Sequence, residues 1–190
     1  MKLKDEEKIR AIYSAALSLF ETQGIAGINM ANVAKEAGIA TGTVYIYFKS
    51  KEELLNILFK ETKVRSAEKI AKSYSEKESV KIVFNRMWLH YFKFSLEHYS
   101  ESLFHEHFSI SPLLSKENKK LSDEALAPIF NLIERAKKEK LVKSLDSMLL
   151  FFQIKGSMQS FTAAVKAGYI KPSKANVEHA MAMCWDSIKQ

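Results

Sequence analysis

The chain has 190 residues, enough for one or two small domains, and its 47% hydrophobic and 27% charged residues are ordinary for a soluble globular protein. Cys184 is the only cysteine, which excludes an internal disulfide and a cysteine-based zinc site. The net charge of +7 points to a polyanionic partner, yet residues 1–60 hold eight Lys and Arg against seven Asp and Glu, so charge alone does not locate a nucleic-acid surface.

Met1 to Arg10 alternates Lys with Asp and Glu and lacks the apolar stretch of a signal peptide. The strongest apolar run, Met148 to Ile154, ends at Lys155 and falls far short of the ~20 residues of a membrane-spanning helix. A cytoplasmic protein without membrane contact is therefore expected. Three prolines and six glycines, sparse over long stretches, favour long helices over short strands.

Ile9, Ile12, Tyr13, Ala16, Leu19 and Phe20 recur on one helical face and predict a helix from about Asp5 to Thr22, ended by Gly24 and Gly27. Asn29 is placed to cap a short second helix whose inner face is Met30, Val33, Ala34 and Ala37. Gly38 suits the left-handed position that closes it, and Ile39 follows as a buried turn residue. A third short helix is predicted from about Thr41 to Tyr47. Ser50-Lys51-Glu52-Glu53 has the form of a capping box and starts a fourth helix that runs to about Ser73. Further helices are predicted over about Val80–Glu97, Glu101–Phe108, Asn118–Lys140, Leu145–Ala167 and Lys174–Lys189. Pro128 should kink the helix it sits in or mark a boundary. The class is all-α with about nine helices.

Two short helices joined at Gly38, with Ala34 beneath the turn and Thr41-Gly42-Thr43 opening the second, form a helix-turn-helix pattern. From Ile9 to Leu55 the chain resembles the DNA-binding segment of the TetR family. The resemblance rests on Ala15-Ala16, Leu19-Phe20, Gly24, Val33-Ala34, Ala37-Gly38-Ile39, Gly42-Thr43-Val44-Tyr45, Tyr47-Phe48 and Ser50-Lys51-Glu52-Glu53-Leu54. It covers about the first quarter of the chain; the rest fits the family in helix count and length. Two positions depart from the pattern. Ala40 stands where the family usually has a capping Ser, and Ala31 where some relatives carry a long polar residue that touches bases.

The resemblance implies a three-helix DNA-binding domain at residues 1–49 and a helical effector-binding and dimerisation domain at 50–190. Tyr45 and Tyr47 carry hydroxyls suited to phosphate, Lys51 adds a cation at a helix N-terminus, and Asn29 is a further phosphate candidate. Thr41, Gly42, Thr43 and Ile46 would face base edges, while Val44 and Phe48 read as core. None of the base-facing residues is Arg, Asn or Gln, so thymine methyl contacts and DNA shape are expected to supply much of the specificity.

The remaining two thirds is rich in large apolar residues at helical spacing, a pattern that plain core also produces. By the resemblance, helices here enclose a pocket for a hydrophobic or aromatic effector, with Trp88, Tyr91, Phe92, Phe104, His105, Phe108 and Phe152 as candidate lining. Gly156, Ser160, Ala163, Ala164 and Ala167 form a small-residue face on the penultimate helix, and Val177, Met181 and Cys184 lie on the last. The face suits either a neighbouring helix of the same chain or, as the family implies, a homodimer interface. A dimer is favoured, because one short recognition helix binds too few base pairs to specify an operator. His90, His98, His105 and His107 match no zinc spacing, and no phosphate loop, nucleophile elbow or carboxylate pair occurs. No cofactor, metal or enzymatic activity is expected. The resulting expectation is a ligand-responsive repressor that binds a palindromic duplex operator as a dimer and is released by its effector. The alternative is a small-molecule- or metal-binding pocket protein with weak or no sequence-specific DNA binding.

Overall fold

In a computed structural model, described here for residues 2–190 with side chains from Asp5 onward, the described residues form nine α-helices. Met1, the first residue of the expected DNA-binding domain, lies outside the described residues. The helices are α1 (Lys2–Gly27), α2 (Met30–Glu36), α3 (Thr41–Tyr47), α4 (Lys51–Ala71), α5 (Val80–Glu97), α6 (Tyr99–Phe108), α7 (Lys116–Lys138), α8 (Ser147–Lys166) and α9 (Lys174–Ile188). An isolated antiparallel bridge between Val142 and Lys189 is the one β-type pairing among the described residues. The all-α class follows.

Local chemistry explains most boundaries. Gly24, at φ +67°, breaks α1 three residues before its end. Asn29 caps α2 by accepting from the Asn32 N–H at 2.8 Å, and Gly38, also at φ +67°, closes it. Ser50 accepts from the Glu53 N–H at 3.1 Å while the Glu53 carboxylate accepts from the Lys49 N–H, so the box predicted at the start of α4 forms, displaced by one residue on its return bond. Asp146 caps α8 through the Met148 and Leu149 N–H groups, and Ser173 caps α9 through that of Asn176. The helix α7 runs through Pro128 as one element, so of the two expectations for that residue, a kink or a boundary, no boundary falls there.

The chain packs as two units. One comprises the chain up to Val64 together with Ser100–Ser122; the other comprises Arg65–Tyr99 and Asp123–Gln190. The helices α4 and α7 each contribute residues to both.

The first unit buries Ile12, Ala16, Val33, Val44, Leu54, Leu58 and Phe59 together with Phe104 and Phe108 of α6. Its aromatic centre is ordered: Phe104 stacks on Phe108 at 5.0 Å between centroids, and Phe59 lies 5.6 Å from Phe108. Polar bonds fasten α4 to the start of α7. The Asn56 amide donates to the Leu113 carbonyl at 2.9 Å and accepts from the Ser115 N–H at 2.9 Å, while Asn118 donates to the Asn56 carbonyl at 2.8 Å.

The second unit is built from α5, α8, α9 and the C-terminal part of α7 around Val83, Phe84, Trp88, Ile133, Leu150, Ile154 and Ile188. The loop before α5 is held by two arginines. Arg86 makes a two-pronged pair with Glu78 at 2.8 and 2.5 Å and also donates to the Ser73 carbonyl at 2.9 Å. Arg135 donates to the carbonyls of Ser75 and Glu78. The guanidinium hydrogen-bonded to Glu78 holds that carboxyl below its ordinary range.

Because Phe59 is fully buried against three other rings, Phe59→Ala should lower unfolding free energy by about 3–5 kcal/mol, read from the urea midpoint at unchanged slope.

Candidate functional site

The helices α2 and α3 are locked at their turn. The Ile39 N–H donates to the Ala34 carbonyl at 3.0 Å, and Val33, Ala34, Val44 and Phe48 are buried beneath. Val44 and Phe48 are turned in, whereas Thr41, Gly42, Tyr45 and Ile46 are all exposed, Ile46 at 77%. A large apolar side chain held in water on a polar helix face has no role in the core, and it suits contact with base methyl groups. Thr43 and Tyr47 are half-buried, and Asn29 is exposed with its side-chain oxygen engaged on α2. Ala40 precedes α3 with no side-chain cap; the Thr43 N–H bonds the Ala40 carbonyl at 2.8 Å instead.

Two of the predicted phosphate contacts already have partners. The Tyr47 hydroxyl donates to Asp5 Oδ1 at 2.7 Å, which raises the phenol pKa above its ordinary value. Lys51 Nζ donates to the Ile25 carbonyl at 2.6 Å, tying the start of α4 to the end of α1. An ammonium has three N–H bonds, so Lys51 keeps donors for phosphate. A phenol has one, so Tyr47, while bonded to Asp5, has no donor left for a phosphate. The sequence carries no sign of either pairing, since the partners lie 42 and 26 residues apart.

In the second unit a cavity of about 60 Å³ has an entirely apolar surface. It is lined by Ile70 of α4, Phe84, Met87, Trp88 and Tyr91 of α5, Ile129, Leu132, Ile133 and Ala136 of α7, Ile154 and Met158 of α8, and Trp185 of α9, among others. Of the seven candidate effector residues, the structure places Trp88 and Tyr91 in this wall. Phe92 is buried beside it, 5.7 Å from the Trp88 ring. Phe104, His105 and Phe108 do not line the cavity. They belong to the first unit, where the two phenylalanines pack on Phe59 and His105 Nε2 lies 2.6 Å from the Thr62 hydroxyl. Phe152 is 56% exposed and packs edge-on against Phe151, with Lys155 over its ring. The lining that sequence reasoning missed on α7 was signalled by the 129, 132, 133 and 136 spacing, one face of a helix.

The exposed surface of α8 continues from Phe152 through Gly156, Ser160, Ala163 and Ala167, with Ala164 half-buried; a Cβ added to Gly156 would meet no atom of this chain within 4 Å. On α9, Val177 and Met181 pack against the unit's own core. Cys184 is buried, and Ser157 donates to its sulfur at 3.0 Å. Burial pushes that thiol pKa up. The exposed side of α9 is instead Ala175, His179, Ala182 and Met183, the last 71% exposed. Val177, Met181 and Cys184 share one helical face with Ala180 and Ile188, and the packing of this unit turns that face inward.

Residues 12–58 match the profile described as "Bacterial regulatory proteins, tetR family", and residues 80–189, more than half of the chain, match "Tetracyclin repressor-like, C-terminal domain". The chain belongs to the TetR family. Over 74 residues it is 36% identical to the fatty acid metabolism regulator protein of Bacillus subtilis, a match spanning 39% of this chain and 38% of that one. Over 44 residues it is 48% identical to an HTH-type transcriptional regulator of Haemophilus influenzae, covering 23% and 24% of the two. These matches span less than two fifths of either relative. Its fold is similar along the whole chain to a TetR family transcription regulator from Marinobacter aquaeolei, with a TM-score of 0.86, 23% identity and full coverage of both chains. A TetR family regulator from Haemophilus influenzae is similar over 97% of this chain and 98% of its own, with a TM-score of 0.73 and 22% identity.

This TetR-family chain is thus a transcriptional regulator with an N-terminal DNA-binding domain. No helix among the described residues is long and apolar enough to cross a membrane, and no group of three or more His, Cys, Asp or Glu among them is placed to hold a metal ion.

If Tyr47 meets a phosphate, as the sequence predicts, the Asp5 carboxylate would compete with it for the Tyr47 proton and set a negative charge beside that contact. Asp5→Ala should therefore tighten duplex binding by about 3- to 10-fold at low salt, the scale of one exposed charge-assisted bond, in fluorescence anisotropy. Weaker binding would mean that the bond braces α3 in its DNA-reading position.

Proposed function

We propose that this TetR-family regulator represses transcription as a homodimer on a palindromic operator and is released when a small hydrophobic effector enters the cavity of its second unit. The observation that carries the reading is the course of α4. Its first turn holds Lys51, bonded to α1 of the DNA-binding unit, and its last turn holds Ile70, a wall residue of the apolar cavity. A ligand that widens the cavity displaces Ile70, and a continuous helix transmits that displacement to the residues at its other end. Release then scales with the effector's preference for the displaced conformer over the operator-bound one.

The recognition face offers Thr41, Gly42, Thr43, Tyr45 and Ile46 to bases and backbone, with Asn29, Tyr47 and Lys51 as further phosphate contacts. The dimer is supported by the uncovered small-residue face of α8, where Phe152, Gly156, Ser160, Ala163 and Ala167 are exposed, joined by Met183 of α9. Two symmetric copies would set their recognition helices about one DNA turn, ~34 Å, apart.

Selection of bound duplexes from a random pool at stated salt tests the core of the reading: a palindromic consensus is expected, and no enrichment would remove it. Tyr45→Ala with Lys51→Ala should abolish operator binding while the chain stays folded and dimeric, as judged by circular dichroism and light scattering. Phe152→Glu should produce a monomer by light scattering and weaken operator binding by about 100-fold or more, because one half-site then carries all the contacts.

A further inference from the structure

We infer that α3 reads its operator through the C5-methyl group of a pyrimidine, with Ile46 as the reading side chain. At that position 5-methylcytosine is then accepted in place of thymine, and unmethylated cytosine is not. The inference takes α3 as the base-reading helix and so rests on the reading above.

The first observation is what α3 lacks. Thr41 to Tyr47 contains no Arg, Lys, Asn or Gln, the side chains that grip two atoms of one base edge at once. The two amides at the start of α2 are already engaged: Asn29 Oδ1 accepts from the Asn32 N–H at 2.8 Å, and Asn32 Nδ2 donates to the Gly27 carbonyl at 3.0 Å. Lys35 and Lys49 are exposed but lie before and after α3. The hydroxyls on its exposed side, those of Thr41 and Tyr45, serve equally as donor or acceptor and so fit either base pair.

The second observation is the pair Gly42 and Ile46, four residues apart and therefore neighbours on one face of α3. Ile46 stands in water although it is large and apolar. A glycine inside a helix weakens it relative to alanine, and Gly42 has no internal reason to be one. Its φ is not positive, and a Cβ added there would meet nothing among the described residues within 4 Å. What a missing Cβ does permit is close approach of the backbone to an outside partner. The face thus offers a branched apolar side chain beside a notch.

In the major groove the apolar group that marks a base edge is the C5-methyl of thymine. Cytosine methylated at C5 presents the same group at the corresponding place. The two bases differ at the neighbouring exocyclic atom, an acceptor oxygen in one and a donor amine in the other, and only a side chain that hydrogen-bonds that atom tells them apart. Ile46 contacts the methyl group and forms no such bond.

The test uses the full-length protein and the duplex consensus obtained by selection, in fluorescence anisotropy at one fixed salt concentration. Each thymine is replaced in turn by deoxyuridine, which lacks only the methyl group. At one position per half-site the replacement should weaken binding by about 4-fold, the scale of burying one methyl group, and by about 15-fold when made in both half-sites. Ile46→Ala should bind the thymine and deoxyuridine duplexes equally at that position. When the same pair is changed to G·C, methylating its cytosine at C5 should recover about 4-fold in the wild type and nothing in Ile46→Ala. Gly42→Ala should raise the urea midpoint while it weakens operator binding, a split that a role in folding alone would not produce. Four results would each overturn the inference and leave operator binding by α3 in place: no thymine sensitive to deoxyuridine, the same sensitivity in Ile46→Ala, indifference to cytosine methylation, or undiminished binding by Gly42→Ala. A selection that enriches no duplex would overturn both readings together.

Discussion

An α-helix is stiff along its axis because each N–H is bonded to the carbonyl one turn back, and α4 places residues of both units on one such rod. At roughly 1.5 Å per residue its 21 residues extend about 30 Å. Its first half is fixed by Leu54, Leu55, Leu58 and Phe59, all in the core of the DNA-binding unit, and by the Asn56 bonds to the start of α7. Its far end contributes Ile70 to the wall of an apolar cavity. In the proposed effector response, a change in that wall would act on the helix whose N-terminal half packs in the DNA-binding unit. That constraint gives the remaining features their roles: α6 holds the rod from one side through Phe104 and Phe108, and Lys51 joins it to α1.

The proposed DNA face is weakly charged for its task. Of the residues it presents, Thr41, Gly42, Tyr45 and Ile46 are neutral, and Lys51 spends one donor inside the protein. Such a face would gain little from long-range attraction and would depend on fit, on tyrosine hydroxyls and on apolar contact. The Asp5–Tyr47 bond makes the hydroxyl supply conditional, since a single proton cannot serve a carboxylate and a phosphate at once.

Apolar residues divide among three tasks that look alike in composition. Phe104 and Phe108 stabilise the first unit, Trp88 and Tyr91 wall a cavity in the second, and Phe152 stands in water beside Gly156 on α8. Burial of the first pair yields stability; the uncovered Phe152 is what the proposed dimer would cover.

Much of this was legible in the residues. Local signals act within a few positions, so the cap at Asn29, the left-handed Gly38, the limits of α3 and α5 and the box at Ser50 could all be read along the chain. The outward face of α3 was legible too, because Val44 and Phe48 repeat on the opposite side. Tertiary structure alone decided which aromatic belongs to which core, that Val177, Met181 and Cys184 turn inward, and that Tyr47 and Lys51 are bonded to Asp5 and Ile25. The physical reason is range. Capping and periodicity are set by neighbours one turn away, whereas a side chain's partner across the fold is set by where another helix passes, and no spacing within one segment records that.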